Sequence, residues 1–440
     1  MASEVPVVVI GGGFAGLSTA VELARSGRSG VILERAGYFG GNIRTDNSVD
    51  VGVIQIFPWF RCVRQIADFF EHALPPARRT PSVVLNMVGG RPRAHDTPEF
   101  MPTSILETLR LSTSAKRIKR SQGIYQLSKQ TPLPVDDDAT LYDVLYYVNE
   151  RKAHDFDLIL RGYTYPSARE LSAHLALGPL FEDLYNNMYN CNLGALVAKM
   201  CRFLEARGWS LVKFVSDLGV VRVGSKTNVS YRTADGLRHD LVALDLVMAC
   251  PLTETLKMMP KLYSLMRAPP QYTKMATALV TVPSDADLSE WLPGFPVWFG
   301  AFVDDPLRIV SDNGLRLTTI CRLPGNKFVI LYIEDAVEGG SLDPGRLRVG
   351  VQQIIRHKAM YPFWEANVVT VNAFPTAMPR PDLGFIESVR KLSAGPKKMG
   401  LHFAGQYLGF PCLETACYSG MRAAHEIIGD LPDFDALIES

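Results

Sequence analysis

Near its N-terminus the chain reads as a strand, a glycine-rich turn, a helix and a second strand, in that order. The apolar run at residues 7–10 is typical of a buried parallel strand, and the glycines of residues 11–16 follow it directly. Apolar residues then recur with helical spacing over residues 17–24, and a second apolar strand at 31–33 ends on Glu34. This order predicts a βαβ unit whose glycine-rich turn holds the phosphates of a dinucleotide.

Each glycine of the turn has a predicted task. Gly11 allows a tight turn, Gly13 lets a pyrophosphate approach the backbone, and Gly16 lets the helix pack closely against the strand. The N-terminus of the helix presents N–H groups and the positive end of its dipole to the phosphates. Glu34 can accept hydrogen bonds from ribose hydroxyls and would repel a 2′-phosphate. The contacts predicted in this segment are Gly11, Gly13, Phe14, Ala15, Gly16 and Glu34.

The composition bounds the partners and the compartment. A formal net charge of +1 over 440 residues argues against nucleic acid as a partner, because binding a polyanion requires a basic excess. The seven cysteines form no C-x-x-C pair, which predicts a reduced, cytoplasmic protein without a metal site. No apolar run is long enough for a membrane-spanning helix. The basic residues within 116–120 leave peripheral contact with a membrane open, against the alternative of a solvated helix face.

Two further glycine-containing segments carry a resemblance to a known family. Residues 40–45 follow Glu34 closely, and residues 400–424 lie near the other end of the sequence. Together with the N-terminal unit they resemble the flavin amine oxidase superfamily, which includes amine oxidases, protoporphyrinogen oxidases, carotenoid and squalene-type desaturases and polyunsaturated fatty acid isomerases. The sequence departs from the superfamily pattern twice, with Asn42 in place of an arginine and Gln406 in place of an acid.

The resemblance implies that the dinucleotide is FAD, bound non-covalently. In the superfamily the second segment directs backbone N–H groups and a helix N-terminus at the pyrophosphate and the flavin ring. Arg35 or Arg44 is the candidate to replace the missing arginine, and the backbone of Val223 is expected to meet the adenine. The cofactor contacts implied in this way are Arg35, Gly41, Asn42, Val223, Gly405, Gln406, Glu414, Thr415 and Met421.

The predicted fold class is α/β, with two interleaved parts. Because both ends and the middle of the chain resemble cofactor-binding segments, residues 1–75, 206–262 and 394–432 are expected to form a Rossmann-like FAD-binding domain. Residues 76–205 and 263–393 then form a discontinuous α+β substrate domain that contains a mixed sheet and a helical subdomain.

Elements of the substrate domain are predicted from periodicity and capping signals. Residues 103–120 and 139–205 have largely helical spacing, and Asp138 or Thr140 is the expected helix cap. Strands are predicted at residues 277–283, 315–320 and 327–334.

Two residues that amine oxidases of the superfamily usually carry are missing from this sequence, and their absence bears on the substrate. Amine oxidases of the superfamily usually carry an aromatic residue two positions before the closing glutamate, where this chain has Cys412. They also carry a lysine near the flavin, where this chain has Thr277. Removal of hydride from an allylic carbon by a flavin needs neither group, which makes amine oxidation the weaker interpretation. We therefore expect a small-molecule, apolar substrate in a pocket whose wall includes Phe410 and Cys412.

Residues 403–419 and 162–172 are most similar to segments of polyunsaturated fatty acid isomerases. That resemblance implies transfer of hydride to the flavin and its return at another carbon, so that a double bond moves without net oxidation. It also implies an arginine that binds the fatty acid carboxylate, and Arg78 and Arg79 are the candidates. An exposed basic pair at a domain linker is the alternative. A carotenoid- or terpenoid-type desaturase, an amine or amino-acid oxidase, and a flavin-binding protein without turnover are the other readings, and the oligomeric state is open.

Overall fold

The computed structural model describes the chain over the following residues: 3–46, 48–53, 55–57, 60–74, 82–88, 91–96, 140–148, 150, 153–154, 157, 160, 167–171, 189–190, 192–266, 271–282, 299–303, 309–322, 328–335, 342–380, 388–389, 391–392 and 400–430. Within these ranges the α-helices are α1 (Phe14–Arg25), α2 (Arg61–Phe69), α3 (Leu141–Val148), α4 (Leu193–Ala206), α5 (Leu252–Met258), α6 (Pro344–Ile355) and α7 (Leu413–Ile428).

The strands of the described residues fall into two large sheets and several short pairs. In chain order they are β1 (Ser3–Ile10), β2 (Gly30–Leu33), β3 (Thr45–Asp46), β4 (Val49–Asp50), β5 (Gln55–Ile56), β6 (Ser82–Val88), β7 (Arg91–Asp96), β8 (Tyr189–Asn190), β9 (Ser210–Val212), β10 (Ser216–Val223), β11 (Lys226–Arg232), β12 (Arg238–Met248), β13 (Gln271–Tyr272), β14 (Met275–Thr281), β15 (Phe299–Val303), β16 (Leu315–Arg322), β17 (Phe328–Asp335), β18 (Asn367–Phe374), β19 (Pro379–Arg380) and β20 (Leu401–Phe403).

The first sheet has the strand order β10-β11-β12-β1-β2-β9, and β20 pairs with the end of β12. Its centre is parallel: β1 lies between β12 and β2, and β2 pairs in parallel with β9. The carboxyl-terminal halves of the central strands are mostly apolar, because one apolar cluster that includes helices covers one face and a second apolar cluster covers the other. The predicted Rossmann-like sheet is therefore present, with the glycine-rich turn at the carboxyl end of β1.

The second sheet has the order β18-β14-β17-β16-β15-β6-β7. Its neighbours are antiparallel except for the parallel pair β15 and β6, so the sheet is mixed, as predicted. The three strands expected from the sequence correspond to β14, β16 and β17. One face of this sheet packs on α6, and the other face lies against the segment that carries β4.

The strands of each large sheet come from the chain segments predicted for the two domains. One helix differs. α4 lies within the range assigned to the substrate domain, but its buried residues Leu196, Met200 and Leu204 share a core with α1 and α7. The apolar stripe of α4 thus packs into the helical layer of the first sheet.

The helical layer is held together by close packing of α7 on α1. At Gly420 an added Cβ would lie 2.2 Å from the carbonyl oxygen of Ala15, so only glycine permits this approach. α3 begins with a reciprocal cap: the N–H of Asp143 donates to Thr140 Oγ1, and the N–H of Thr140 donates to Asp143 Oδ2. The predicted cap at Thr140 is confirmed, and Asp138 lies outside the described residues. Among the described residues we find no helix with the length and apolarity needed to cross a bilayer.

Candidate dinucleotide site

Two glycines of the N-terminal turn are required by the protein itself. Gly11 has a φ of +109°, and a Cβ there would lie 2.7 Å from the backbone carbonyl of Ala249. A Cβ on Gly16 would lie 2.0 Å from the carbonyl oxygen of Gly11, where α1 approaches the end of β1. Both positions are therefore set by the turn and by helix–strand packing, as the sequence predicted.

Gly13 differs from its neighbours because the space beside it is open. It has a φ of −70° and a ψ of 177°, which any residue can adopt. An added Cβ would have only the Cα of Gly41 within 4 Å, at 3.8 Å. Gly13 is also the N-cap of α1, and the first N–H groups of a helix have no acceptor within the helix. We call this open space at the N-terminus of α1 the cradle; its shape and polarity fit a phosphate group.

Glu34 closes one side of the glycine turn. Its Oε2 accepts a hydrogen bond from the N–H of Gly12 at 2.7 Å, and its Oε1 accepts one from the N–H of Ala36 at 2.7 Å. The carboxylate is thereby held at the end of β2 with one lone pair on each oxygen still available. This placement is compatible with the predicted contact to ribose hydroxyls.

The second glycine segment lies against the first. The N–H of Gly40 donates to the carbonyl oxygen of Gly12 at 2.8 Å, and Gly40 and Gly41 have φ values of +113° and +63°. The Cβ that Gly41 lacks would lie 3.1 Å from the Cα of Gly13. Two glycines thus bring the chain alongside the cradle, and Asn42 follows directly.

Both candidates to replace the superfamily's arginine, Arg35 and Arg44, already have a partner within the chain. Arg35 forms an ion pair with Glu254 at 3.3 Å, and its side chain is 72% exposed. The guanidinium group of Arg44 lies over the ring of Tyr38, 4.9 Å from its centroid. A contact of either arginine with a phosphate stays a prediction.

The C-terminal segment returns to the same region. The N–H of Ala404 donates to the carbonyl oxygen of Met248, which sets the end of β20 beside the end of β12. Gly405 has a φ of +151°, and its N–H donates to Ser419 Oγ at 2.8 Å. Gln406 therefore leaves the sheet in a fixed direction, at the start of the short turn that precedes α7.

The residues at the start of α7 are buried. Phe410 and Cys412 are each 3% exposed and belong to the core shared with α1, and their predicted place in a substrate wall stays a prediction. Cys412 is the N-cap of α7, and its Sγ accepts a hydrogen bond from the N–H of Thr415. Met421, one of the implied cofactor contacts, is buried in the same core.

Glu414 is fully buried and holds a neighbouring helix. Its Oε1 accepts a hydrogen bond from the N–H of Cys62 at 2.7 Å, and its Oε2 accepts one from the N–H of Val63 at 3.0 Å. Both donors lie in the first turn of α2. The carboxylate thus binds the positive end of α2, and the contact of Glu414 with the cofactor expected from the sequence stays a prediction.

The structure contradicts the predicted position of Val223 beside the adenine. Val223 pairs with Lys226 at the tip of the β10–β11 hairpin, and its side chain is 59% exposed. Lys226 in turn bonds to Glu4 near the start of β1, while the glycine turn lies at the end of that strand. Gly224, with a φ of +63°, turns the apolar run into a hairpin rather than leading it to the site.

The segment that does run beside Glu34 was missed. The N–H of Glu34 donates to the carbonyl oxygen of Val212, and the N–H of Val215 donates to that of Glu34. Residues 212–215 therefore occupy the place expected for Val223. No sequence signal distinguished this short apolar stretch from the longer one that follows it.

On the substrate side, the correspondence of Thr277 with the lysine of amine oxidases stays a prediction. Thr277 is fully buried on β14, and within the described residues its Oγ1 has no hydrogen-bond partner. Arg78 and Arg79 lie outside the described residues, as does the predicted basic helix at 103–120.

His402, the one histidine in a flavin-motif segment, is buried between two carboxylates. Its Nδ1 lies 3.2 Å from Glu426 Oε2, and its Nε2 lies 3.3 Å from Asp245 Oδ1. Arg422 bonds to the other oxygen of Glu426. Burial by itself lowers the pKa of His402, but the two carboxylates outweigh burial and raise the pKa above its ordinary value.

Replacing His402 by glutamine should therefore cost more stability in acid than in alkali. A group whose pKa is raised on folding stabilises the protein fully below its unfolded pKa of about 6.5, and the contribution is lost as the pH rises through the folded pKa. We expect the difference in unfolding free energy between wild type and His402→Gln to shrink as the pH rises. Urea unfolding at a series of pH values, from below about 6.5 upward, measures this difference. A difference that is constant with pH would show that folding leaves the pKa of His402 unchanged, and a difference that grows with rising pH would show that His402 stays neutral in the folded protein.

Comparison with known proteins supports the fold assignment. A family profile described as an NAD(P)-binding Rossmann-like domain matches residues 9–72. Comparison with curated protein sequences finds no match. The structure is similar to wild-type putrescine oxidase bound to putrescine, with a TM-score of 0.66 and 15% identity over 98% of this chain and 100% of that chain. It is also similar to a CLA-producing fatty acid isomerase from P. acnes, with a TM-score of 0.67 and 15% identity over 94% and 97%. Cyclohexylamine oxidase from Brevibacterium oxydans gives a TM-score of 0.66 and 15% identity over 97% and 99%.

The chain therefore shares the fold of these solved structures over nearly its whole length. Its first sheet and glycine turn form a dinucleotide-binding Rossmann-like unit. The predicted fold class is confirmed. At 15% identity the likeness concerns the fold, so the cofactor and the reaction must be inferred from the residues of the site.

Proposed function

We propose that this protein binds FAD non-covalently in the cradle and uses it to remove hydride from an apolar, unsaturated substrate. The observation that carries the cofactor assignment is Gly13, a glycine that neither its backbone conformation nor its neighbours require. A ligand that approaches the N-terminus of α1 supplies the missing reason. The C-terminal return of the chain, through Gly405 and α7, favours FAD over a nicotinamide cofactor.

Non-covalent attachment is supported by the state of the nearby thiols. Burial raises the pKa of Cys412 to about 12 and raises the pKa of Cys417 still further above its ordinary value. Both thiols are therefore protonated at neutral pH. A thiol that forms a covalent bond to a cofactor reacts as the thiolate, which neither residue provides.

The proposed chemistry follows from the neutrality of the two positions that distinguish amine oxidases. Bound FAD would supply a hydride acceptor. Cys412 is a protonated thiol and Thr277 carries a buried hydroxyl, so neither can attract an ammonium group or accept a proton at neutral pH. These residues instead contribute neutral, water-free surroundings in which a carbon chain can be oriented.

We further propose that the substrate is a polyunsaturated fatty acid and that its double bond is moved rather than oxidised. The sequence similarity of residues 403–419 to fatty acid isomerases supports this reading, and so does the likeness to the fatty acid isomerase fold. In this proposal Arg78 or Arg79 binds the substrate carboxylate through paired hydrogen bonds.

Anaerobic incubation of the FAD-loaded protein with linoleic and arachidonic acids tests the reaction. We expect double-bond isomers to accumulate over many turnovers while the flavin absorbance returns to the oxidised spectrum, because hydride goes back to the same chain. The matched control is the same protein without FAD. Stoichiometric flavin reduction that persists until an acceptor is added would indicate a desaturase instead. No product and no flavin reduction with either acid would contradict the fatty-acid proposal.

The second candidate is an oxidase of amines or amino acids that uses O2. The equal likeness to putrescine oxidase and cyclohexylamine oxidase favours it, whereas the neutral residues at Cys412 and Thr277 oppose it. Release of hydrogen peroxide in a panel of amines under air, with none from the fatty acids, would make it the better proposal.

A further inference from the structure

The two residues that depart from the superfamily pattern meet at a single atom. Asn42 Nδ2 donates a hydrogen bond to the carbonyl oxygen of Ala377 at 2.6 Å, and Gln406 Nε2 donates one to the same oxygen at 2.7 Å. A carbonyl oxygen has two lone pairs, so the two amides saturate it. Because only an N–H group can donate to a carbonyl, this contact also determines how both amides are oriented.

The contact joins three segments that are distant in the sequence. Asn42 follows Gly41, whose backbone lies beside Gly13 in the cradle, and Gln406 follows Gly405. Ala377 belongs to the link between β18 and β19, on the side of the second sheet. Its residue is 2% exposed, so its carbonyl oxygen has little access to water.

The Ala377 link is itself held in place. The N–H of Ala377 donates to the carbonyl oxygen of Thr273 at 3.0 Å, just beyond β13. Tyr272 in β13 reaches the first sheet's side of the molecule, where its hydroxyl accepts a hydrogen bond from the N–H of Leu252 at 2.8 Å. A displacement of Ala377 would therefore disturb contacts on the sides of both sheets.

We propose that Asn42, Gln406 and Ala377 form an amide clasp that ties the two chain segments flanking the cradle to the second sheet. In this role the two amides are positioning residues for the cofactor and do not bind its phosphates directly. The proposal rests on the proposed function only in taking FAD as the occupant of the cradle.

The clasp explains why position 406 carries an amide. An ionised carboxylate only accepts hydrogen bonds, so an acid at 406 would set a negative oxygen against the carbonyl oxygen of Ala377. Gln406 donates instead. A neutral amide at position 406 is thus required for the hydrogen bond to Ala377. The missing negative charge therefore has a structural purpose and does not simply weaken cofactor binding.

A double-mutant cycle in the FAD-free protein tests the shared acceptor. Asn42→Leu and Gln406→Met keep the side-chain size and remove the donor. Either single variant leaves the Ala377 oxygen with one partner, but the double variant leaves a buried carbonyl with none. We expect the double variant to lose more stability in urea unfolding than the sum of the two single losses. Strictly additive losses would overturn the clasp.

The pH dependence of Gln406→Glu gives a second, independent readout. At about pH 8 the new carboxylate is ionised, and we expect FAD affinity, measured by quenching of flavin fluorescence, to fall roughly tenfold. At about pH 5 partial protonation lets the carboxyl group donate, so affinity should recover toward that of wild type at the same pH. Gln406→Met is the control, and its loss should not change with pH.

The two tests separate the clasp from the proposed cofactor. Gln406→Glu that binds FAD as tightly as wild type at about pH 8 would overturn the clasp and leave FAD binding intact. A wild-type protein that binds no FAD would overturn the proposed function, while the cycle in the FAD-free protein would still decide on the clasp.

Discussion

Replacing Gly13 by alanine is expected to raise the Kd for FAD by at least about 100-fold, roughly 2.7 kcal/mol, without unfolding the protein. The added methyl group meets nothing in the chain closer than 3.8 Å, and the φ and ψ of Gly13 suit alanine. The same methyl group fills the space through which a phosphate reaches the N-terminus of α1. Fluorescence titration with FAD and thermal unfolding of the FAD-free protein measure the two effects separately.

Gly16→Ala is the matched control for this prediction. Its Cβ would lie 2.0 Å from the carbonyl oxygen of Gly11, so the turn or α1 must shift. We expect this variant to be destabilised even without FAD, in contrast to Gly13→Ala. A Gly13→Ala protein that binds FAD like wild type would refute the assignment of the cradle to the pyrophosphate.

Replacing Glu414 by leucine should destabilise the FAD-free protein by about 3–5 kcal/mol. Two buried N–H groups of α2, those of Cys62 and Val63, would lose their acceptor, and α2 would lose a negative charge at its N-terminus. Urea unfolding without FAD measures the loss. Glu414→Gln should fall between wild type and leucine, because its amide retains one acceptor oxygen.

Glu254→Gln is the control, because it removes a negative charge without removing a buried hydrogen-bond acceptor. Glu254 pairs with the exposed Arg35, and such surface pairs contribute about 1 kcal/mol or less. If Glu414→Leu leaves the FAD-free protein as stable as wild type but abolishes FAD binding, the carboxylate acts on the cofactor and the structural role is wrong.

Several features of the site could be predicted from the sequence because they depend on neighbours along the chain. Gly11 and Gly16 are required by a turn and a helix that begin within six residues of each other, and Thr140 caps a helix that starts at the next residue. The three strands of the second sheet that were predicted also follow from local apolar runs. In each case the sequence signal itself lies within a few residues, although the structure adds remote contacts such as the backbone of Ala249 beside Gly11.

Other features of the site were mispredicted or not predicted at all, and most of them depend on contacts between remote segments. Val223 lies in an apolar run like those of the central strands, but a glycine turns it into an exposed hairpin. Glu414 is predicted as a cofactor contact, and the structure adds that two N–H groups of α2, about 350 residues earlier in the chain, donate to its two oxygens. Phe410 lies in the core that it shares with α1, and no local sequence pattern predicts this contact.

The N-terminal glycine-rich turn was determined by the sequence alone, since a strand, three spaced glycines and a terminal acid lie within 34 residues. The tertiary structure decided what surrounds it. Only folding shows that Gly13 faces open space while Gly11 and Gly16 do not. Only folding brings Asn42 and Gln406, more than 360 residues apart, onto one carbonyl oxygen of Ala377. The physical reason is that hydrogen bonds and packing act over a few ångströms in space, whatever the separation along the chain.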